Sequence, residues 1–325
     1  MDLRQLRYFV GAVQAGSLSR AADQLHVAQS ALSHHLASLE AELDTQLVTR
    51  SRKGIALTEA GSALYRHAET ILRQLESAKQ AVKTALNIPS GRVSIGVPHT
   101  IGPILCYDLL RRVCTEHPRI VLHITDGNAS LLREQLLNGR IDLALLFEGQ
   151  SARGLAVEPL LLEELFYVTA DPDTTPIPLA EVAQRPMIVP GPASASRRIA
   201  QEAFKRHGLD ITPIGEVETL SALYRAVASG TANAIQPWSV LYDGAGKIAL
   251  NYRRIADAKL FRPVALCFSE VSQLSPAIEA VALTVKSLVR ELVASGTWQG
   301  VSLIELSREP ERALVPAIGN ADTAR

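Results

Sequence analysis

In Ser17-Leu-Ser-Arg-Ala-Ala-Asp-Gln-Leu-His-Val-Ala-Gln-Ser-Ala-Leu-Ser-His-His-Leu-Ala-Ser-Leu-Glu40, apolar residues fall at Leu18, Ala21, Ala22 and Leu25. After a short break they resume at Leu32, Leu36 and Leu39, with Leu43 one turn further on. Both runs have the spacing of one helix face, and a break of three or four residues around Val27-Ala28 is what a tight helix-turn-helix requires. Ser17, following Gly16, is the expected N-cap of the first helix. In the second helix, with the leucines turned inward, Ser30, Ser33, His34 and Ala37 share the opposite face. Short polar side chains suit a helix laid in the DNA major groove, where base edges must be approached closely. A solvated surface face would look the same, and periodicity alone does not separate the two.

Downstream, Leu47-Val-Thr-Arg-Ser-Arg-Lys-Gly-Ile-Ala-Leu-Thr58 reads as two short strands joined by a basic, Gly-containing turn, the wing of a winged helix. Arg50, Arg52 and Lys53 form the densest cationic cluster of the first ninety residues and are placed for phosphate or minor-groove contact. The order Leu6-Arg-Tyr-Phe-Val, Gly16-Ser-Leu, Ala21-Ala, Leu25-His-Val-Ala-Gln-Ser-Ala-Leu-Ser, Leu39-Glu, Leu47, Arg50 and Leu57-Thr-Glu-Ala-Gly61 resembles the DNA-binding domain of LysR-type transcriptional regulators. The resemblance extends over roughly residues 1–300. Within that family, Val27-Ala-Gln-Ser-Ala-Leu-Ser-His-His and the following linker are most similar to the nitrogen assimilation control subgroup. The reading that follows puts Gln29, Ser30, Ser33 and His34 at the bases and Arg50, Arg52 and Lys53 on the backbone or in the minor groove, with Thr58 as a further DNA-binding residue. The resemblance also implies dyad-symmetric sites of the T-N11-A type. Two departures matter: the family commonly has Pro where this chain has Ser30 and Arg where it has His34. Arg is the usual reader of guanine, so the half-site preference does not carry over.

The chain has 325 residues, 47% of them hydrophobic and 20% charged, with formal net charge zero. That length implies more than one domain with a substantial core. Residues 1–58 carry six cations against five acids, so bulk charge would not disclose a nucleic-acid partner. Cys106, Cys114 and Cys267 lack metal-site spacing, and an odd count without a framework suits a reducing cytoplasm. No secretory signal and no apolar run of membrane-spanning length is visible. Gly244-Ala-Gly-Lys-Ile-Ala249 contains G-x-G-x-x-A but does not open a clear helix after a long strand. His34 and His35, adjacent on a helix, diverge by about 100° and cannot share a metal ion. No catalytic constellation emerges, so the expectation is a protein that is not an enzyme and carries no cofactor or metal.

From residue 59 to about 86 the pattern is a long helix with a heptad seam at Leu64, Ala68, Ile71, Leu75, Ala78, Val82 and Ala85. Such a helix is expected to dimerise. Asn87-Ile-Pro-Ser-Gly91 should end it as a hinge. The expected organisation is a DNA-binding domain at 1–58, a linker at 59–90 and a regulatory domain at 91–300, with a disordered tail over 301–325.

Beyond Gly91, strands alternate with helices: strand 92–97, helix 102–117, strand 120–125, helix 129–138, strand 141–146, then strands 156–161 and 165–169. A second set follows: strand 187–189, helix 196–207, strand 214–217, helix 220–229, strand 233–236, strand 264–268 and helix 276–294. This alternation indicates an α/β domain of parallel sheets covered by helices. The family resemblance implies two lobes like those of periplasmic solute-binding proteins, 91–162 with 267–300 and 163–266, crossing near Leu162 and Cys267.

In such sheets a ligand sits beyond the strand ends, near helix N-termini. The candidate effector residues are His99, Thr100, Asn128, Ser130, Ser194, Thr219 and Gln236, a set of small polar groups suited to a small anion. Thr100 aligns with the family's effector-holding Ser or Thr. Each could equally be an ordinary helix cap. The leading expectation is a cytoplasmic transcription regulator, activator or repressor. It would bind double-stranded DNA as a homodimer or homotetramer, respond to a small co-inducer, and contact RNA polymerase if an activator. The alternatives are a regulator that needs no ligand, as in the nitrogen assimilation control subgroup, and a small-molecule binding protein or enzyme that binds no DNA.

Overall fold

Asp2 opens the chain with a capping box: its carboxylate accepts from the Gln5 amide at 2.8 Å while the Gln5 side chain accepts from the Asp2 amide at 2.7 Å. This starts α1, Leu3–Ala15, which Gly16 ends in a left-handed cap. The computed structural model describes residues 1–51, 54–83, 88–149, 152–242, 250–270 and 274–304. The helices α2, Leu18–Leu25, and α3, Gln29–Glu42, flank a turn at His26–Ala28 in which His26 takes the left-handed conformation. Ser17 occupies the N-cap position of α2, but its side chain makes no capping bond.

Strands β1, Val48–Ser51, and β2, Gly54–Leu57, form the antiparallel wing. Arg52, Lys53 and the turn they define lie outside the described residues. Gly54, with φ of 120°, lets the Ile55 amide reach the Gly16 carbonyl at 3.1 Å; a Cβ at Gly54 would stand 2.4 Å from that oxygen. The Glu40 carboxylate accepts from the Leu47 and Val48 amides at 2.8 and 3.2 Å, which ties α3 to the wing.

The long helix α4, Glu59–Lys83, follows. The seam that sequence assigned to a partner is partly spent at home: Leu64, Ala68 and Ile71 pack against Leu6, Phe9 and Val10 of α1. The expected helix end at 84–87 lies outside the described residues. Thr70 Oγ1 donates to the Asn138 carbonyl at 2.6 Å, and Arg73 donates to the Arg140 carbonyl, so α4 also rests on the following domain.

That domain runs β3 Gly91–Pro98, α5 Gly102–Glu116, β4 Ile120–Gly127, α6 Ala129–Leu137, β5 Leu143–Leu146 and β6 Leu155–Thr169. It continues with α7 Leu179–Val182, β7 Ile188–Val189, α8 Ala195–Arg206, β8 Gly215–Glu216, α9 Leu220–Ala228 and β9 Ala234–Pro237. A short 3-10 turn, Trp238–Leu241, is followed by β10 Asn251–Arg253, β11 Phe261–Ser269, α10 Pro276–Ala294 and β12 Val301–Leu303. The sequence reading missed α7, β10 and β12. Residues 301–303, expected in the tail, pair with β6. Residues 305–325 and the Gly244–Ala249 motif fall outside the described residues.

The sheet order is β10-β6-β11-β5-β3-β4, with β9 and β12 also on β6. Among the described strands, only β3 with β4, β3 with β5, and the short β7 with β8 are parallel pairs; β6 and β11 are antiparallel to their neighbours. The expectation of parallel sheets thus holds for the first strands of each lobe and fails at the join. The two strands predicted at 156–161 and 165–169 are one. β6 pairs with β11 over Leu155–Glu164 and with β9 and β10 over Leu165–Thr169, and so runs through both lobes. The return crossing lies earlier than Cys267. Val264, Leu266 and Phe268 belong to the first lobe's core with α5 and α10, and Cys267 packs with Leu132 and Leu146 of the same lobe. Leu260 already belongs to the second lobe's core with Leu165, Phe204 and Ile235. Buried Leu, Ile and Val side chains of this kind contribute about 1.5–3 kcal/mol each.

Candidate functional site

Two regions bring the candidate residues together. The first is α3. Leu32, Leu36 and Leu39 are buried, while Gln29, Ser30, His34 and Ala37 are exposed and Ser33 is half-buried, as the helical spacing requires. Gln29 Oε1 accepts from the Ser19 hydroxyl at 3.1 Å, which joins the start of α3 to α2. No side chain caps the N-terminus of α3, where Ala28 is the N-cap. Its first amides therefore stay open to water or an anion. The His35 ring packs edge-on against Tyr8, 5.1 Å between centroids, behind the exposed His34. Thr58 has a structural use: its hydroxyl donates to the Gln46 carbonyl at 2.7 Å and accepts from the Gly61 amide at 2.9 Å, which starts α4. Arg50 lies on β1, paired with Ile55.

The second region is the cleft between the lobes. His99, Thr100, Asn128, Ser130, Ser194 and Gln236 line one cavity of about 100 Å³, together with Phe147, Ser196, Glu218 and Arg262. Thr219, the N-cap residue of α9, is not among its lining residues. Several of these groups already have partners. Asn128 caps α6, accepting from the Leu131 amide at 2.8 Å, and Ser194 caps α8, accepting from the Arg197 amide at 3.5 Å. His99 Nδ1 lies 2.8 Å from the Asp126 carboxylate.

Arg262 organises this cleft, and sequence reasoning missed it. Arg262 and Glu163 are 1% and 0% exposed. Nε and Nη2 of Arg262 donate to Glu163 Oε2 at 2.8 and 2.6 Å. Nη2 also donates to Thr100 Oγ1 at 2.9 Å, Nη1 donates to Ser196 Oγ at 3.1 Å, and the guanidinium stacks 3.9 Å above the Phe147 ring. Glu163 Oε1 accepts from Ser239 Oγ at 2.6 Å and Trp298 Nε1 at 3.0 Å. Burial pulls the Arg262 pKa below its ordinary value while the Glu163 carboxylate opposes the shift, and a guanidinium so paired keeps its charge. The signal was in the sequence. A lone Arg beside Pro263 and a Glu inside runs of Leu, Val and Phe are charges that demand partners once those runs are buried strands.

These observations define a winged-helix DNA-binding protein joined to a two-lobed regulatory domain. Comparison with known proteins agrees over nearly the whole chain. Residues 3–62 match the bacterial regulatory helix-turn-helix protein, lysR family, and residues 87–290 match the LysR substrate binding domain. The nitrogen assimilation regulatory protein nac of Klebsiella aerogenes is 38% identical over 89% of this chain and 95% of its own length. That of Escherichia coli K12 is 36% identical over 93% of this chain and 100% of its own. Among solved structures, full-length CbnR in complex with its target DNA has a TM-score of 0.67 and 24% identity, covering 90% of this chain and 99% of that one. A full-length OxyR variant from Pseudomonas aeruginosa also has a TM-score of 0.67, with 23% identity, covering 89% of this chain and 95% of that one. The chain belongs to the LysR family of DNA-binding transcriptional regulators, a family of regulators and not of enzymes. Among the described residues, no helix is long and apolar enough to cross a membrane.

Proposed function

We propose that this regulator reads paired half-sites of dyad-symmetric DNA as a homodimer or homotetramer in the cytoplasm, with Gln29, Ser30, Ser33 and His34 of α3 in the major groove. The observation that carries this is the exposed polar face of α3, backed by three buried leucines and held against the wing by Glu40. Arg50, Arg52 and Lys53 would add phosphate or minor-groove contacts. Dimerisation is supported by an open groove between α1 and α4 lined by Met1, Leu3 and Ile71, with Met1 and Leu3 strongly exposed. If the outcome is activation, RNA polymerase is the further partner. Gel-shift and footprinting on DNA upstream of its own gene should show protected half-sites one or two helical turns apart, with affinity falling steeply as salt rises. Absent or salt-insensitive binding overturns the reading.

For the cleft, the geometry favours a regulator that needs no co-inducer over one gated by an anion. The Arg262 charge is met by Glu163, the Thr100 hydroxyl is engaged, and Asn128 and Ser194 serve as caps. Gel shifts in the presence of acetate, malonate or phosphate should leave the DNA affinity unchanged. A small uncharged effector is the second reading, favoured by the cavity that Thr100, Ser130 and Gln236 still line.

A further inference from the structure

We infer that Arg262 is the cleft's own resident ligand: anchored on Glu163, its guanidinium ties Thr100 of the first lobe to Ser196 of the second and holds the lobes together with nothing else bound. The inference rests on the co-inducer-free reading of the cleft and adds a mechanism to it.

A two-lobed domain closes on a small molecule because that molecule bonds to both lobes at once. Here the chain supplies such a group itself. Arg262 and Glu163 are cross-strand partners on β11 and β6, the two strands that pass between the lobes. The base of the guanidinium is therefore fixed at the crossing. From that point Nη2 reaches Thr100, in the loop after β3, and Nη1 reaches Ser196, in the first turn of α8. Phe147, at the end of β5, covers the guanidinium face. Thr100 and Ser196 belong to no shared strand or helix, so their common bond to Arg262 is a polar link across the cleft. With all but one of its five N–H groups committed, Arg262 has little left for a carboxylate ligand, which explains in physical terms why an anion gains nothing by entering. Arg262 is thus a positioning residue for the lobes and a specificity-determining residue for the cleft.

Hydrogen exchange read by mass spectrometry on the full-length chain tests this. Thr100→Val with Ser196→Ala removes the two arms of the link and leaves the buried ion pair intact. Arg262→Lys keeps the charge but cannot reach three partners in one plane. Both variants should exchange about tenfold faster in the loops around 98–101 and 191–196, with α5 and α10 unchanged. Wild-type protection in those loops in either variant overturns the inference, as does uniform loosening of the whole domain, which would mark a merely structural role. The co-inducer-free reading fails separately: acetate, malonate or phosphate would then change the wild-type DNA affinity whatever the exchange rates show.

Discussion

The guanidinium of Arg262 lies in a fork against the carboxylate of Glu163, both side chains buried, across strands 99 residues apart in sequence. A buried pair of this kind is worth little against an apolar substitute but much against the loss of one partner. Arg262→Met leaves Glu163 with only its Ser239 and Trp298 donors and should cost about 3–5 kcal/mol. The double change Glu163→Gln with Arg262→Met should recover most of that loss. Urea denaturation of the three proteins checks it; equal destabilisation by the single and double changes would show that the pair is not energetically linked.

On α3 the expectation is the reverse, a loss of function without a loss of stability. His34 and Ser30 are exposed, so His34→Ala and Ser30→Ala should leave the melting temperature in place. Each lost base contact should weaken binding to the preferred site by about 1–3 kcal/mol, tenfold or more, and relax its preference at one position. Lys53→Ala should instead weaken all sequences alike and lower the salt slope by about one. Gel shifts against a set of single-base half-site variants separate the two patterns.

The helix-turn-helix was readable because its signal is local: Leu32, Leu36 and Leu39 face inward over about two turns, and no distant residue changes that. The long strand β6 was not. Glu163-Glu164 interrupts its apolar run and reads as a break between strands at 156–161 and 165–169, while Glu158-Pro159 falls inside the first of these. In the fold Pro159 sits where the register with β11 shifts, between Val264 and Ala265, so the bulge absorbs it. Glu163 is buried because Arg262 meets it, and Glu164 lies 3.3 Å from Arg254. The partners that make those charges compatible with a strand come about a hundred residues later, beyond the reach of any local pattern. The cleft was partly legible for the same reason. Strand ends and caps located Thr100, Asn128 and Ser194, but the group that uses Thr100 stands on a strand whose start was placed after it. In the seam of α4, Leu64, Ala68 and Ile71 do share one face, yet periodicity does not say that this face meets α1 and not a partner.

The three cysteines should differ sharply in reactivity. Burial pushes the Cys106 thiol up to about 11 and the Cys267 thiol up to about 12, whereas Cys114 is exposed. Since the thiolate is the reactive form, Cys114 alone should react quickly with a disulfide reagent at pH 8, half-buried Cys106 slowly and buried Cys267 only on unfolding. Three fast thiols in the native protein would contradict the burial of Cys106 and Cys267.

At Gly61 the N-terminal domain has no room for a side chain. The helix α4 starts so close to the wing that a Cβ on Gly61 would stand 1.8 Å from the Leu47 carbonyl oxygen. That oxygen also accepts from the Thr58 amide at 3.0 Å, so it cannot swing away without breaking the start of α4. Gly61→Ala must therefore move α4 relative to β1, and should cost at least the about 1–3 kcal/mol typical of overpacking. Because α4 also packs on α1, the displacement should reach the support of α3 and abolish DNA binding. The regulatory domain has its own cores and should keep its exchange protection in β3, β5 and α10. Loss of the gel shift with that protection intact is the expected result; full DNA affinity in Gly61→Ala would mean that α4 meets the wing less closely than the Leu47 contact requires.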